Sequence, residues 1–495
     1  MTTESVNGTN HGVDQKLAVC VVFVLAMFMN VMDITIVNVA LPSMGRDLHA
    51  PGTGISVVSI AYVVSIAVFI PLSGWLGDHF GHRNVLLAAI VVFTIASMLC
   101  GLSQNLIEVV LARVLQGVGG GLMTPVGMAL LYRTFPPVER VRITSVLMIP
   151  TILGPTTGPV LGGILVDDLS WRWVFFVNLP LGIVALVFGL VFLHGEDGES
   201  VGPFDFVGFA IAGVGLASLM YGVSKGPDDG WASGPILTTV ILGVVLLGVL
   251  CVQQLRIDHP LLALRLFSDR LFRSGTGVTF VGSAAFFGFL FTLALFLQNG
   301  LGFSPLKSGL FTIPEAIGVM IGVQFVSRLL YPRFGPKPLM VIGSFVQALA
   351  LLALTGIDDV LQTWALLVLV FGVGFSMSFV LITSQLASMA RIDRVATGAA
   401  STLFNASRQV AAGFGVAITA TALALVGEPV AHLGHVADDL SSYHVGFVVC
   451  AGLAALCGLA AVTIHNSDAD STRARHAKAN AEVSAAGEMS SEAST

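Results

Sequence analysis

Three ionisable residues stand where a chain of this kind can least accommodate charge. Asp33 lies in Met32-Asp33-Ile-Thr-Ile-Val-Asn38-Val-Ala-Leu-Pro42, Arg113 in Leu111-Ala-Arg113-Val-Leu-Gln116-Gly117, and Glu315 in Thr312-Ile-Pro314-Glu315, each within a long apolar run. A carboxyl at the centre of a membrane helix costs about 2.5 to 3.5 kcal/mol on the insertion scale, so it must face a cavity or a partner. Burial favours the neutral acid and a neighbouring cation favours the carboxylate, so such a group can be poised to take up and release a proton. At 1.5 Å rise per residue, Arg113 lies about 10 Å and Asp33 about 13 Å below the outer ends of their spans. They can therefore share a depth and couple, with protonation of Asp33 releasing the charge of Arg113 and a cationic ligand competing for the same carboxylate. Glu315, about 14 Å from the outer end of its span, is a second candidate for proton or cation binding. It could instead pair with Arg408, in Asn405-Ala-Ser-Arg408-Gln409.

These groups need helices to hold them. The chain has 495 residues, is 55% hydrophobic and only 11% charged, and its mean hydropathy of +0.89 lies far outside the range of soluble domains. Apolar runs of about 20 residues separated by polar breaks give roughly fourteen spans, and an even count puts both termini on one side. Lys and Arg concentrate in the loops on that side, among them Lys16, Arg83, Arg133, Arg256, Arg265, Arg270, Arg273, Arg328, Arg333 and Arg391, against Arg46, Arg172, Lys225 and Lys307 on the other. The positive-inside rule makes the basic side cytoplasmic. The spans divide as six, two and six, with boundaries expected at 1–16 for a cytoplasmic tail, 17–195 for the first bundle, 196–258 for two linking helices, 259–465 for the second bundle and 466–495 for a disordered tail. The net charge of -6 supports no nucleic-acid partner. The five cysteines fall in apolar runs without metal-ligand spacing, so neither disulfide nor metal site is expected. No histidine falls within a span as counted, which excludes a histidine proton relay. Asp438, Asp439, His432, His435 and His444 in the last outer loop read as a solvated polar segment.

Two stretches carry the signals of a moving helix pair. In the apolar run from about Ile143 to Val166, Pro150, Pro155 and Pro159 each remove a backbone donor, which bends the helix and confines it to the protein interior. Gly154, Gly158 and Gly162 recur every four residues and present a smooth face that lets another helix approach closely, with Gly163 following directly. The loop Gly74-Trp-Leu-Gly-Asp78-His-Phe-Gly81-His-Arg83 has a degraded counterpart ending Arg333-Phe-Gly335-Pro-Lys337, with Pro332 where the first copy has Asp78. A loop recurring at the same place in both halves argues for a duplicated bundle.

The Gly154-Pro155 helix resembles the antiporter motif of proton-coupled exporters of the major facilitator superfamily, and Gly74 to Arg83 resembles that superfamily's loop signature. The run from Asp33 to Pro42 and the segments around Arg172 and Arg408 are similar to signatures of its fourteen-span drug and proton antiporter branch, and the segment around Arg113 resembles the superfamily's fourth-helix motif. The resemblance covers about Leu17 to Ile464. It implies an all-α fold of two six-helix bundles plus two inserted helices, rocking about a central site. It further implies a gate latch between Asp78 and Arg83; His79 and His82 stand where Arg or Lys is usual, a departure that would leave the latch either weaker or sensitive to pH, because histidine titrates near neutrality. Asn38, Gln116, Asn405, Arg408 and Gln409 are expected to be structural polar groups within the membrane. The expected function is proton-driven export of hydrophobic, cationic small molecules across the inner membrane by a monomer that uses the proton gradient and no cofactor. An importer or uniporter on the same fold is the alternative. No His-Glu-x-x-His, Gly-x-Ser-x-Gly or phosphate-loop pattern supports an enzyme or an ATP-driven pump.

Overall fold

A computed structural model describes residues 15–49, 55, 57–136, 139, 143, 154, 157–158, 160–194, 198, 202–357, 362–393, 396–426 and 439–464. Residues 1–14 of the proposed N-terminal tail, the proposed C-terminal tail, Pro150, Pro155, Pro159 and most of the outer loop before Asp439 lie outside the described residues.

Among the described residues the structure is helical throughout, as expected for a chain whose backbone polar groups must be satisfied within each segment in lipid. The first bundle holds α1 (Gln15–Asp47), the bent pair α2 (Val57–Phe69) and α3 (Leu72–Phe80), α4 (His82–Leu102), α5 (Leu106–Thr134) and α6 (Trp173–Phe192). Between α5 and α6 the stretch 160–168 is helical. A hairpin of α7 (Phe206–Asp229) and α8 (Gly234–Arg256) follows. The second bundle holds α9 (Arg270–Leu295), α10 (Pro305–Phe325), α11 (Pro336–Ala353), α12 (Thr363–Ser388), α13 (Thr397–Val426) and α14 (Ser441–Ala461). Among the described residues twelve helices are long and apolar enough to cross a membrane, and thirteen spans result when α2 and α3, bent by 56° at Ile70-Pro71, are taken as one. The span expected from Ile143 lies mostly outside the described residues, so fourteen is not established.

The recurrence of the loop is visible in the backbone. The turn into α4 passes through Gly81 at φ 82°, and the turn into α11 passes through Gly335 at φ 75°, both in the region that glycine enters without a Cβ clash. Helix contacts follow small residues. A Cβ on Gly119 of α5 would lie 2.7 Å from the Ala89 carbonyl oxygen of α4, and one on Gly121 would lie 2.8 Å from that of Ile66 in α2. Such close backbone approach gains dispersion energy where lipid offers no hydrophobic drive. Large apolar side chains such as Leu111, Val191, Trp364 and Leu425 point outward, and a bilayer is the solvent that suits them.

The glycine face of the Gly154 helix meets α1 of its own bundle. A Cβ on Gly154 would come within 3.1 Å of the Met32 backbone nitrogen, and one on Gly162 within 3.1 Å of the Ile36 carbonyl oxygen, while Gly158 abuts Thr35 and Ile36. Gly163 faces open space. The stripe therefore seats this helix on the one carrying Asp33, not on the opposite bundle as a sliding seam.

Contacts between the bundles gather at the arginine-rich end. Ser73 Oγ and Thr402 Oγ1 are 2.8 Å apart, and Gln385 donates to the Tyr132 hydroxyl at 3.2 Å. The α7–α8 hairpin is more than an outlying scaffold: Leu219, Met220 and Val223 pack with Ala67 of α2 and Ala417 of α13, covering the line where the bundles meet. Trp231, in the turn between α7 and α8, donates to Thr421 Oγ1 of α13 at 2.6 Å.

Candidate functional site

The two buried acids occupy different environments. Asp33 is fully enclosed within the first bundle. Its Oδ2 accepts from Arg113 Nη1 in a buried ion pair, and its Oδ1 accepts from Gln116 Nε2 at 2.9 Å and Asn178 Nδ2 at 3.1 Å. Arg113 also donates to Gln116 Oε1 at 2.7 Å and to the Val58 carbonyl at 3.3 Å. The spacing of Arg113 and Gln116, three apart on α5, puts both on the face toward α1. Asn178, at the start of the long arm of α6, closes the third side and bonds Ser97 of α4 at 3.1 Å. A charge so enclosed is tolerable only when paired and hydrogen-bonded, and both oxygens of Asp33 are engaged.

Asp33 does not reach the space between the bundles, so a ligand there cannot compete directly for its carboxylate in this conformation. A connected route leads to that space instead. The Arg113 guanidinium lies 4.1 Å from the Tyr62 ring centroid, the Tyr62 hydroxyl donates to Asn30 Oδ1 at 2.7 Å, and Asn30 Nδ2 donates to the Gly120 carbonyl at 3.0 Å. Asn30 lines a cavity of about 290 Å³ between the bundles.

That cavity is mostly apolar. Its first-bundle wall includes Met27, Val31, Ile34, Ile66 and Thr124, and its second-bundle wall includes Phe286, Phe287, Leu290, Met377 and Leu381. Glu315 opens onto it at 7% exposure, with Arg408, Asn405 and Gln409 on the wall beside it. Glu315 has no hydrogen bond or ion pair among the described residues, so the pairing with Arg408 considered from the sequence is not made. Its position is fixed by the backbone: Gly374 of α12 abuts the Glu315 carbonyl, and Gly318 one turn on abuts Phe371. With no side chains at these crossing points, α10 and α12 close up and the acid is held at the cavity wall. Arg408 donates to Asn405 Oδ1 at 3.4 Å, and Asn405 Nδ2 donates to the Ser401 carbonyl at 2.9 Å. Asn405, Arg408 and Gln409, expected to be structural, thus belong to the cavity wall; their spacing on one face of a helix is a signal that could have found them. Asn38 accepts from Ser59 at 3.0 Å near the opposite end, away from the arginine-rich seam.

The loop signature forms a latch with a different cation. Asp78 Oδ1 pairs with Arg133 Nη2 of α5 at 2.8 Å and lies 3.7 Å from His82 Nε2. Arg83 instead donates to the Leu190 carbonyl at 3.2 Å and to Asn84. The bend between α2 and α3 turns Asp78 inward toward α5, whereas Arg83, one residue into the next helix, points to its own bundle's outer surface. Asp78 also sits at the start of α13 in the other bundle, where a Cβ on Gly398 would be 3.0 Å from its Oδ1. A carboxylate is favoured at that position by the partial positive charge of a helix N-terminus. Gly74 is pressed against Ala399 and Thr402 of the same helix, so a side chain there would part the bundles. His79 stacks on Trp75 at 4.7 Å, and His82, read as a loop residue, is the buried first residue of α4. His444 lies within the first turn of α14, at the helix end.

Comparison with known proteins agrees with the fold. A family model described as the Major Facilitator Superfamily matches residues 23–416. The chain is 31% identical over 408 residues to a multidrug resistance protein B homolog of Mycobacterium tuberculosis, covering 81% of this chain and 75% of that one. It is 32% identical over 427 residues to a putative multidrug resistance protein of Pectobacterium atrosepticum, covering 85% of this chain and 89% of the relative. A crystal structure of a human organic anion transporter superposes with a TM-score of 0.64 at 16% identity, over 91% of this chain and all of that one, and this likeness concerns the fold alone.

Proposed function

Since this chain belongs to the major facilitator superfamily, a family of membrane transporters, we propose that it is a proton-coupled exporter of hydrophobic, cationic small molecules, working by alternating access. The single observation that carries the reading is Glu315, an acid without a partner among the described residues, on the wall of an apolar cavity between two bundles. An unpaired carboxyl in such a place costs free energy unless it holds a proton or a cation, so the two compete for one site. The names of the relatives support export of drugs.

With the arginine-rich side assigned to the cytoplasm by the positive-inside rule, both termini are cytoplasmic and this conformation is closed to the cytoplasm. Ser73–Thr402, Tyr132–Gln385 and the Asp78 carboxylate at the start of α13 hold it shut. Asp33 with Arg113 is the second proton-sensitive group. Protonating Asp33 removes the countercharge of Arg113, and the Tyr62–Asn30 contact passes any shift of that guanidinium to the cavity wall. Proton binding at Asp33 and ligand binding in the cavity then communicate through one bundle without sharing an atom.

The test is transport of ethidium into proteoliposomes with an imposed pH gradient, acid inside. Accumulation that collapses with an uncoupler is the expected result, and Glu315→Gln should lose it. Equal accumulation with and without the gradient would overturn proton coupling.

A further inference from the structure

The cavity contains a second charge that export of a simple cation does not explain. Arg408 carries five N–H donors, and the single hydrogen bond found for its side chain among the described residues is the long one to Asn405, at 3.4 Å. No carboxylate lies within ion-pair distance of it among the described residues, although Glu315 lines the same cavity. A guanidinium held inside a membrane protein normally finds an anion or several acceptors, and a planar fork of donors is matched best by a carboxylate. A cation alone would be attracted by Glu315 and repelled by Arg408.

We infer that the preferred ligand is amphoteric: an apolar, ring-containing body that carries one basic nitrogen for Glu315 and one carboxylate for Arg408. In the same cavity, Phe286, Phe287 and Leu290 supply the surface for the ring system. The inference rests on the export reading only for the identity of the site as a ligand site. It adds the acidic group, and with it a selectivity that the acid of the cavity alone cannot give.

A matched pair of dyes tests it. Rhodamine 110 carries a free carboxylate beside its cationic ring system, and rhodamine 123 is its methyl ester, so the two differ in that one charge. Equilibrium binding to the purified full chain in detergent, read by fluorescence polarisation, gives the ratio of the two dissociation constants without any need for transport. Wild type should bind the free acid at least tenfold more tightly than the ester. In Arg408→Gln the ratio should fall toward one, and Arg408→Lys, which keeps the charge but not the fork, should retain part of the preference. Because the readout is a ratio within each variant, a partly unfolded preparation does not mimic the result. Equal binding of acid and ester by wild type, or a ratio unchanged in Arg408→Gln, would overturn the proposal and would mean that water or an inorganic anion satisfies the guanidinium. Failure of proton-driven ethidium uptake, by contrast, would remove the coupling and leave this ratio untouched.

Discussion

Replacing Asp33 by Asn removes the countercharge of a fully buried guanidinium while keeping the side chain's shape. The introduced amide keeps one acceptor oxygen, but its NH2 then faces donors from Gln116 or Asn178, where the carboxylate accepts at 2.9 and 3.1 Å. Removing one partner of a buried pair costs about 3 to 5 kcal/mol, because the other charge is left uncompensated. The Tyr62 ring face under Arg113 remains in the variant and softens the loss, so the lower end of that range, about 3 kcal/mol, is expected. Arg113→Gln in the same background removes the stranded charge. The double variant should therefore be more stable than Asp33→Asn by about 2 kcal/mol, which is a strong non-additivity for a contacting pair. Reversible unfolding of the purified protein by SDS in mixed micelles, run on wild type, both single variants and the double, measures the coupling term. Additivity within about 0.5 kcal/mol would refute the argument, since it would mean that the pair is solvated or already loosened in the native state. On the transport side, Asp33→Asn should insert and bind dye but lose its response to a pH gradient, and gradient-driven ethidium uptake at wild-type rate would take Asp33 out of the mechanism.

Other expectations follow from the same geometry. Oxidising a Ser73→Cys, Thr402→Cys double variant should lock the arginine-rich end shut and stop transport, with recovery on adding dithiothreitol; undiminished transport of the cross-linked form would show that this seam does not open. Gly158→Val places branched carbons against Thr35 and the Ile36 backbone and should cut the yield of folded protein severely, whereas Gly163→Ala should match wild type in thermal unfolding, because its Cβ meets nothing within 4 Å. Tyr62→Phe keeps the ring under Arg113 but loses the hydrogen bond to Asn30, a loss of about 1 kcal/mol that should lower the number of protons moved per ethidium in a stoichiometry assay while dye affinity changes less than about threefold.

What the sequence disclosed and what it concealed divide along physical lines. Apolar runs report helices directly because lipid demands them, and the repeated loop with Gly81 and Gly335 reports duplication because a positive φ selects glycine wherever it recurs. An acid inside an apolar run is equally conspicuous, so Asp33, Glu315 and Arg113 were legible as functional candidates. Partnership was not. Asp78 could be paired on spacing only with a nearby cation, and Arg83 was the nearest in the chain, yet the cation that reaches it is Arg133, 55 residues away at the end of another helix. Rise per residue gave the depth at which Asp33 and Arg113 meet but not the direction each faces, so the enclosure of the pair away from the cavity was invisible. The glycine stripe at Gly154, Gly158 and Gly162 announced a close contact without naming its partner, which is α1. The hairpin of α7 and α8, nearly free of charge, offered no sequence signal that it covers the seam.

Under the proposed proton coupling, the placement of the latch keeps the polar contacts that must break within reach of the drive from a single charge. Two neutral hydrogen bonds between the bundles, Ser73–Thr402 and Tyr132–Gln385, contribute about 0.5 to 1.5 kcal/mol each, and a carboxylate at a helix N-terminus adds about 0.3 to 1 kcal/mol. Their sum, about 1 to 4 kcal/mol, is of the same order as the roughly 2.3 kcal/mol that one charge gains across 100 mV. A latch built from buried ion pairs between the bundles would exceed that drive. The strong pairs found here, Asp33–Arg113 and Asp78–Arg133, both lie within the first bundle, where they stiffen a rigid body and need not break for the bundles to rock. The polar contacts that must break are the weak ones.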